Sequence, residues 1–246
     1  MKLISLNIEG SKHLDDRIIP FLKQQQPDVV CLQEVFAVDV DRIEETLGLR
    51  GRYVPLANVD KVTKHTPKPL GLWGIYLGSR LPVGEIGHEF YKGEASHTPT
   101  FLENNDPNAV SRAMIWMEVS DGVENYTVAG THFVWSPKGE STPYQHRHLD
   151  KLFQITQQLP PHILCGDFNA PRGGEIFTRL AEEYQDNIPL EVTTTLDGNY
   201  HYAGQLEFVV DGIFSHPNYR VSNMKVVANL SDHMALVGEV KRKENE

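Results

Sequence analysis

Five short segments of this 246-residue chain share one design, a polar or ionisable side chain set at the end of an apolar run. Asn7 follows LISL, Glu34 follows VVCLQ, His132 follows YTVAGT, Asp167 with Asn169 follows HILCG, and Asp232-His233 directly precedes MALVGEV. Carboxylates, amides and imidazoles are the types that hold cations, carry protons and donate to oxyanions. Such groups cannot point into a core without a large penalty, so the strand ends of a common scaffold are where they would converge. Each has an ordinary explanation when taken alone: a loop carboxylate for Glu34, a turn cap for Asn7, turn chemistry for GDFNAP, a hydrogen-bonded wall residue for His132. Those explanations weaken when all five occur together, because independent accidents multiply.

The elements that must carry these groups are short. LISLNI (3–8) and DVVCLQ (28–33) read as buried strands on either side of a helical stretch, 12–25, with Leu14, Ile18, Phe21 and Leu22 as its apolar positions. Pro20 predicts a kink in that stretch or a late start, since an interior proline costs about 3 kcal/mol. A second helix is expected over 39–49, a surface loop over 57–69, and amphipathic helices over 144–159 and 175–183. Further strands are expected at 72–78, 113–119, 126–133, 161–168, 206–214, 219–227 and 234–240. With no repeat, low-complexity tract or linker, residues 1–246 read as one domain, with 241–246 (KRKENE) as a solvated tail. Many short strands interrupted by helices predict an α/β sandwich of two facing sheets with helices outside.

Composition narrows the function. The chain carries 23 Lys and Arg against 33 Asp and Glu, a net charge of −10, and is 40% hydrophobic, which excludes disorder, collagen and coiled coil. No run approaches the roughly 18 apolar residues of a membrane span, and Asn7 and Glu9 interrupt the place of a signal peptide, so a cytoplasmic address is expected. Cys31 and Cys165 lie singly inside apolar runs and read as buried free thiols, not as zinc ligands or a disulfide scaffold. The acidic balance opposes passive wrapping of duplex nucleic acid, while leaving room for an enzyme whose positive charge comes from bound metal.

In this setting the chain resembles the endonuclease/exonuclease/phosphatase superfamily of metal-dependent phosphoesterases. The matching pieces are LNIEG (6–10), LQEV (32–35), GTHF (130–133), GDFNAP (166–171), VVDGIF (209–214) and SDHMAL (231–236), spread over nearly the whole chain. The resemblance implies a four-layer α/β/β/α sandwich of two packed mixed sheets with outer helices, and a site at one end of the sheets. It also implies Mg²⁺ or Mn²⁺, hard cations suited to the negative charge of phosphoester cleavage. Glu34 would be a direct ligand. Asn7 and Asp232 would lie beside the metal, Asn7 alternatively holding its water or, with Asp167, a second ion.

Further roles follow from the same resemblance. Asp167 is similar to the base that takes a proton from water, and Asn169 would face the same side if GDFN were extended. His233 would donate to the phosphate with Asp211 as its fixing partner, and His132 would be a second donor. Arg112 is a weaker candidate for phosphate contact, with a rim salt bridge as its ordinary reading. Pancreatic-type deoxyribonucleases pair the residue matching His132 with a Glu, which GLWGIYLG (71–78) does not offer. Abasic-site endonucleases usually carry Asn at that position. The pattern Thr131-His132-Phe133-x-Trp135 looks more like the branches that include deadenylases, tyrosyl-DNA phosphodiesterases and sphingomyelinases.

The leading expectation is therefore a phosphodiesterase with nuclease-type activity on DNA or RNA, with Lys61, Lys64, His65 and Lys68 or the segment of Arg147 bordering a groove. The alternative is a small-molecule or lipid-head-group phosphoesterase whose pocket is lined by Trp73, Phe90, Tyr91, Phe101 and Trp135. A third reading, a noncatalytic binding module, conflicts with the intact set Glu34, Asp167, Asn169, Asp232 and His233. No protein partner can be inferred.

Overall fold

Strand β1 (Lys2–Asn7) turns Leu3 to one side and Ile4 and Leu6 to the other, all of them buried, and its parallel neighbour β2 (Val29–Phe36) repeats the pattern with Val29 and Cys31 against Val30 and Leu32. A strand buried on both faces must sit between two layers, and this pair does. The structure, a computed structural model, describes residues 1–61, 70–101 and 108–243. Within them β3 (Arg50–Val59), β4 (Gly71–Ser79), β11 (Tyr219–Val227) and β12 (Ala235–Arg242) complete a first sheet of order β11-β12-β1-β2-β4-β3. The second sheet, β5-β6-β7-β8-β10-β9, is made of β5 (Val83–Lys92), β6 (Arg112–Ser120), β7 (Asn125–His132), β8 (Ile163–Asp167), β9 (Gln185–Asp186) and β10 (Asp211–Ser215).

The sheets face each other through Leu3, Val29, Cys31, Ile75 and Leu77 on one side and Ile115, Met117, Val128, Ile163 and Cys165 on the other. Helices α1 (Ile19–Gln25) and α2 (Ala37–Leu47) cover the outer face of the first sheet with Leu22 and Ile43. Helices α3 (Pro143–Thr156) and α4 (Glu175–Glu183) cover the second with Leu149, Leu152, Ile176 and Leu180. The expected four-layer sandwich is the observed fold. Both cysteines are buried and free. No helix among the described residues is long and apolar enough to cross a membrane.

Pro20 acts as the late start expected of it: residues 14–18 form a π-turn, and α1 begins at Ile19 with Pro20 in its first turn, where a missing N–H costs nothing. Other boundaries need correction. The strand expected over 206–214 begins only at Asp211, because Phe208, Val209 and Val210 give their carbonyls to Thr195, Arg172 and Phe168 in place of a ladder. Ala57–Val59 of the expected loop finish β3, and residues 62–69 lie outside the described residues. Lys241 and Arg242 of the expected tail close β12 opposite Arg220 and Tyr219. Strands β3, β5 and β9 were not expected. All three are edge strands, and β3 and β5 are half-exposed and rich in Gly, Arg and Glu, so they lack the apolar density of the central strands.

Candidate active site

Three neighbouring strands of the second sheet end in line. His132 on β7 is in register with Asp167 on β8, which is in register with Asp211 on β10, so an imidazole and two carboxylates reach one face together. Gly166 makes the approach possible: at φ +143, a Cβ there would stand 1.9 Å from the Thr131 carbonyl oxygen. Beyond Asp167 the chain turns at once. Asp167 Oδ1 accepts from Asn169 N at 2.8 Å, Phe168 enters the core against Phe214, and Asn169 takes a left-handed φ of 50°. The GDFN segment is therefore not extended through Asn169, and its amide Nδ2 donates to Phe133 O at 3.1 Å, tying this turn to the end of β7.

The first sheet supplies the opposite wall. Glu34 sits in a β-bulge where β2 loses register with β4 between Gln33 and Val35, and its φ is 63°. A bulge re-aims one side chain, here a carboxylate, out of the alternation that would bury it. Asn7 joins the two sheets: its Nδ2 donates to Glu34 Oε1 and to Asp167 Oδ2, both at 3.1 Å, while its Oδ1 accepts from Glu9 N at 3.1 Å. That last bond fixes the amide with its donor side to the site, so Asn7 steers carboxylates and its oxygen is already engaged.

The loop before β12 brings in Asp232 and His233. Ser231 Oγ, fully buried, donates to Asn7 O at 2.6 Å, which pins this loop to the end of β1. His233 Nδ1 lies 2.9 and 3.1 Å from the two Asp211 oxygens, and its Nε2 lies 3.8 Å from Asp167 Oδ2. Burial opposes charge on this imidazole, but Asp211 and then Asp167 overcome it and hold its pKa well above the usual histidine value. Asp167 is itself raised, first by burial, with Asp211 adding to the rise and His233 opposing it.

His233 acts on Glu34 and Asp232 as well, but there burial outweighs it. Burial, and after it the charge of Asp232, pushes Glu34 up to about 7; burial likewise raises Asp232 to about 6, and Asp232 Oδ1 is shut from solvent without a hydrogen-bond partner. Two strained carboxylates with an orphaned oxygen fit a hard divalent cation. Asp167, Asp211 and His233 also place ligand atoms within 4.8 Å of one another. In that trio Nδ1 of His233 is paired with Asp211, and either this cluster or Glu34 with Asp232 could hold a metal ion.

Arg112 starts β6 and is only 3% exposed, with Nε and Nη1 both buried and unpartnered, so the rim salt bridge is excluded. Its guanidinium lies 5.8 Å from the Trp73 ring, and Asp167 and Glu34 are near enough to support a charge that burial disfavours. Trp73 also packs on His132 at 5.5 Å between ring centroids, occupying the neighbourhood where a carboxylate partner was sought. Burial, then Arg112 and His233, drives the His132 pKa well below the usual value, so this imidazole is neutral; Nε2 is 3.4 Å from Asp167 Oδ2 and Nδ1 has no partner.

The sequence profile of the Endonuclease/Exonuclease/phosphatase family matches residues 4–233, almost the entire chain and every group just described. The chain belongs to this family. A search of curated protein sequences found no match. Solved structures share the fold: a Bacteroides vulgatus member of the family at 16% identity and TM-score 0.72, covering 98% of each chain. The human nocturnin catalytic domain with bound sulfate aligns at 19% identity and TM-score 0.70, over 99% of this chain and 93% of that one. A mannosyl-6-phosphatase from Bacteroides thetaiotaomicron aligns at 16% and 0.65, over 98% and 99%. The family is one of phosphoester hydrolases, and the Asp and His cluster here is able to hold a metal ion.

Of the residues singled out in the sequence, Asn7, Glu34, Arg112, His132, Asp167, Asn169, Asp211, Asp232 and His233 all fall at this one end of the two sheets. Lys64, His65 and Lys68 lie outside the described residues, while Lys61 and Arg147 are exposed. Among the proposed pocket aromatics, Trp73 flanks the site and Tyr91 supports it from below, its hydroxyl donating to His132 O at 3.1 Å. Phe90 is next to Tyr91 on β5 and so faces the other side, against His88. Ser231, Thr195 and Asp197 were not anticipated. Thr195 Oγ1 accepts from Val210 N and Asp211 N at 3.0 and 3.2 Å, and a lone Thr in a polar loop carries no sequence signal for that task.

Proposed function

We propose that the protein is a divalent-cation-dependent phosphodiesterase of nuclease type in which Asp167 takes the proton from an attacking water. The observation that carries this reading is Arg112. A buried guanidinium with two unpaired nitrogens is costly to maintain, and an anionic phosphoryl oxygen is the partner that removes the cost. Burial raises the basicity of Asp167, and the Asn169 backbone with the Asn7 amide hold its two oxygens in place. Asp211 fixes the His233 ring through Nδ1, which leaves the Nε2 proton for the phosphoryl or leaving oxygen. His132, neutral and backed by Trp73, is a second donor to the same oxygens. Glu34 and Asp232 would hold Mg²⁺ or Mn²⁺, which when bound stabilises charge on the phosphoryl oxygens.

A second reading, a small-molecule phosphoesterase, is favoured by Trp73 beside a single buried arginine and by the net charge of −10, and one structural relative is a mannosyl-6-phosphatase. One assay tests both: single- and double-stranded DNA, RNA, nucleotide monophosphates, sugar phosphates and phospholipid head groups, each with Mg²⁺, Mn²⁺ or EDTA. Hydrolysis of an oligonucleotide that EDTA abolishes and Mg²⁺ restores is expected. Turnover confined to sugar phosphates would move the assignment to the second reading, and turnover indifferent to EDTA would overturn the cation-dependent reading.

A further inference from the structure

Asp211 opens β10, and the two amides at that point are held by a side chain from elsewhere. Thr195 Oγ1 accepts from Val210 N at 3.0 Å and from Asp211 N at 3.2 Å, and Thr195 is fully buried. Thr195 N also donates to Phe208 O at 3.0 Å. The far side of the same short segment holds the loop of His233. Thr195 O accepts from Met234 N at 2.7 Å, Leu196 forms a β-bridge with His233, and Asp197 N donates to Asp232 O at 2.9 Å. Asp197 Oδ2 adds a bond from Asn229 N at 2.7 Å. Residues 195–197 therefore lie between the two stretches of backbone that must present Asp211 and His233 to each other at 2.9 Å.

The two sides are held by different means. Toward Asp232, His233 and Met234 the bonds run between main chains, which a side-chain substitution at 195 leaves in place. Toward Asp211 the hydroxyl takes both amides. Buried amides need an acceptor, so an apolar residue of the same shape would leave these two to find one by moving the start of β10. Asp211 would move with its amide, and its carboxylate is what holds His233 Nδ1. A carboxylate that fixes one ring nitrogen decides where the other one points, and a misplacement of about 1 Å is enough to slow a reaction on the order of 10²-fold.

We propose that Thr195 is a positioning residue for phosphoester cleavage: its hydroxyl sets Asp211, and Asp211 in turn sets the His233 ring. The proposal rests on the phosphoester-hydrolase reading above and adds the group that keeps its Asp-His pair aligned. Substitutions at Thr195 test it, first in steady-state hydrolysis of bis-p-nitrophenyl phosphate with saturating Mg²⁺. Thr195→Val is expected to lower kcat about 10- to 100-fold with KM changed by no more than about twofold, and Thr195→Ser, which restores the oxygen, to return kcat to near wild type. Thr195→Val lowers the melting temperature whatever the role, so stability alone does not decide. The second readout is the low-field proton resonance of His233 Nδ1–H, recorded in EDTA and assigned by its absence from His233→Gln. It is expected in the wild type and in Thr195→Ser, and is expected to be lost or moved upfield in Thr195→Val. Unchanged kcat in Thr195→Val, a fall carried by KM, or a wild-type His233 resonance in that variant would each overturn the proposal, as would failure of Thr195→Ser to restore both. If Thr195→Val does not fold, Thr195→Ala carries the same expectations, since it lacks the same oxygen. The resonance needs no turnover, so absence of hydrolysis counts against the catalytic reading, while the spectrum still decides whether Thr195 positions the pair.

Discussion

Two pairs of carboxylates, one buried and one half-buried, lie side by side in this site and are treated differently. Asp167 and Asp211 are register partners on adjacent strands, yet His233 stands between them, bonded to one and 3.8 Å from the other. Glu34 and Asp232 come from a bulge and a loop of the first sheet; the Asn7 amide donates to Glu34, and His233 acts on both without bonding to either. The second pair keeps an orphaned oxygen, on Asp232, and raised pKa values that Asn7 and His233 offset only in part. An imidazole bonded into one pair suits it to moving protons, and an open oxygen in the other suits it to a cation, as proposed above.

The largest expected effect breaks the first pair. Asp167→Asn keeps the shape and removes the proton acceptor, so kcat should fall about 10²- to 10⁴-fold in steady-state assays while thermal unfolding shows an intact fold. Near wild-type turnover would remove Asp167 as the base. Next comes the buried guanidinium near both pairs. Arg112→Met should lower kcat/KM about 10- to 100-fold, since a charged hydrogen bond to phosphate is lost. The same change should raise the melting temperature by about 2–4 °C, because a buried, unpaired charge is replaced by an apolar chain of similar volume. Activity and stability moving in opposite directions would distinguish a functional arginine from a structural one. The second pair is probed by Glu34→Gln, which should raise the Mg²⁺ concentration for half-maximal activity about tenfold or more, and an unchanged titration would take Glu34 off the ligand set.

Much of this arrangement was legible before the fold was in view, and the reason is geometric. A polar residue closing an apolar strand has one destination, so Asn7, Glu34, His132 and Asp167 announced a shared strand end. The architecture followed from short central strands whose two-sided burial left a continuous apolar record, as in VVCLQ and ILCG. What stayed hidden depended on contacts between distant segments. The edge strands β3 and β5 earn their pairing from a neighbour, with Pro55 tolerated where β3 slips register, and their composition alone reads as loop. Nothing in SRAMI says that Arg112 will be sealed and unpaired, because that depends on Trp73 from another sheet. The bulge at Glu34 and the left-handed turn at Asn169 are likewise set by hydrogen bonds across strands, which is why an extended GDFN was the wrong picture.

The smallest effect separates the pairs by pH. Glu34 has its folded pKa raised to about 7 from an ordinary value near 4.5, so the folded state binds more protons than the unfolded one between those values. Stability from this group is greatest at the acidic end of that window and declines as pH rises through 7, the reverse of a salt-bridged carboxylate. His233 acts in the same direction: its raised pKa contributes stability below the ordinary histidine value that is lost as pH climbs through the folded one. In EDTA the melting temperature should therefore drift down by a few degrees between about pH 5 and 7.5, at roughly 2–4 °C per kcal/mol for a chain of this size. A bound divalent cation replaces the proton on Glu34, so saturating Mg²⁺ should flatten the part of the slope owed to Glu34, and Glu34→Gln should flatten that same part with no metal present. A slope that survives Glu34→Gln unchanged would place the strain elsewhere, and the distinction between a relay pair and a socket pair would go with it.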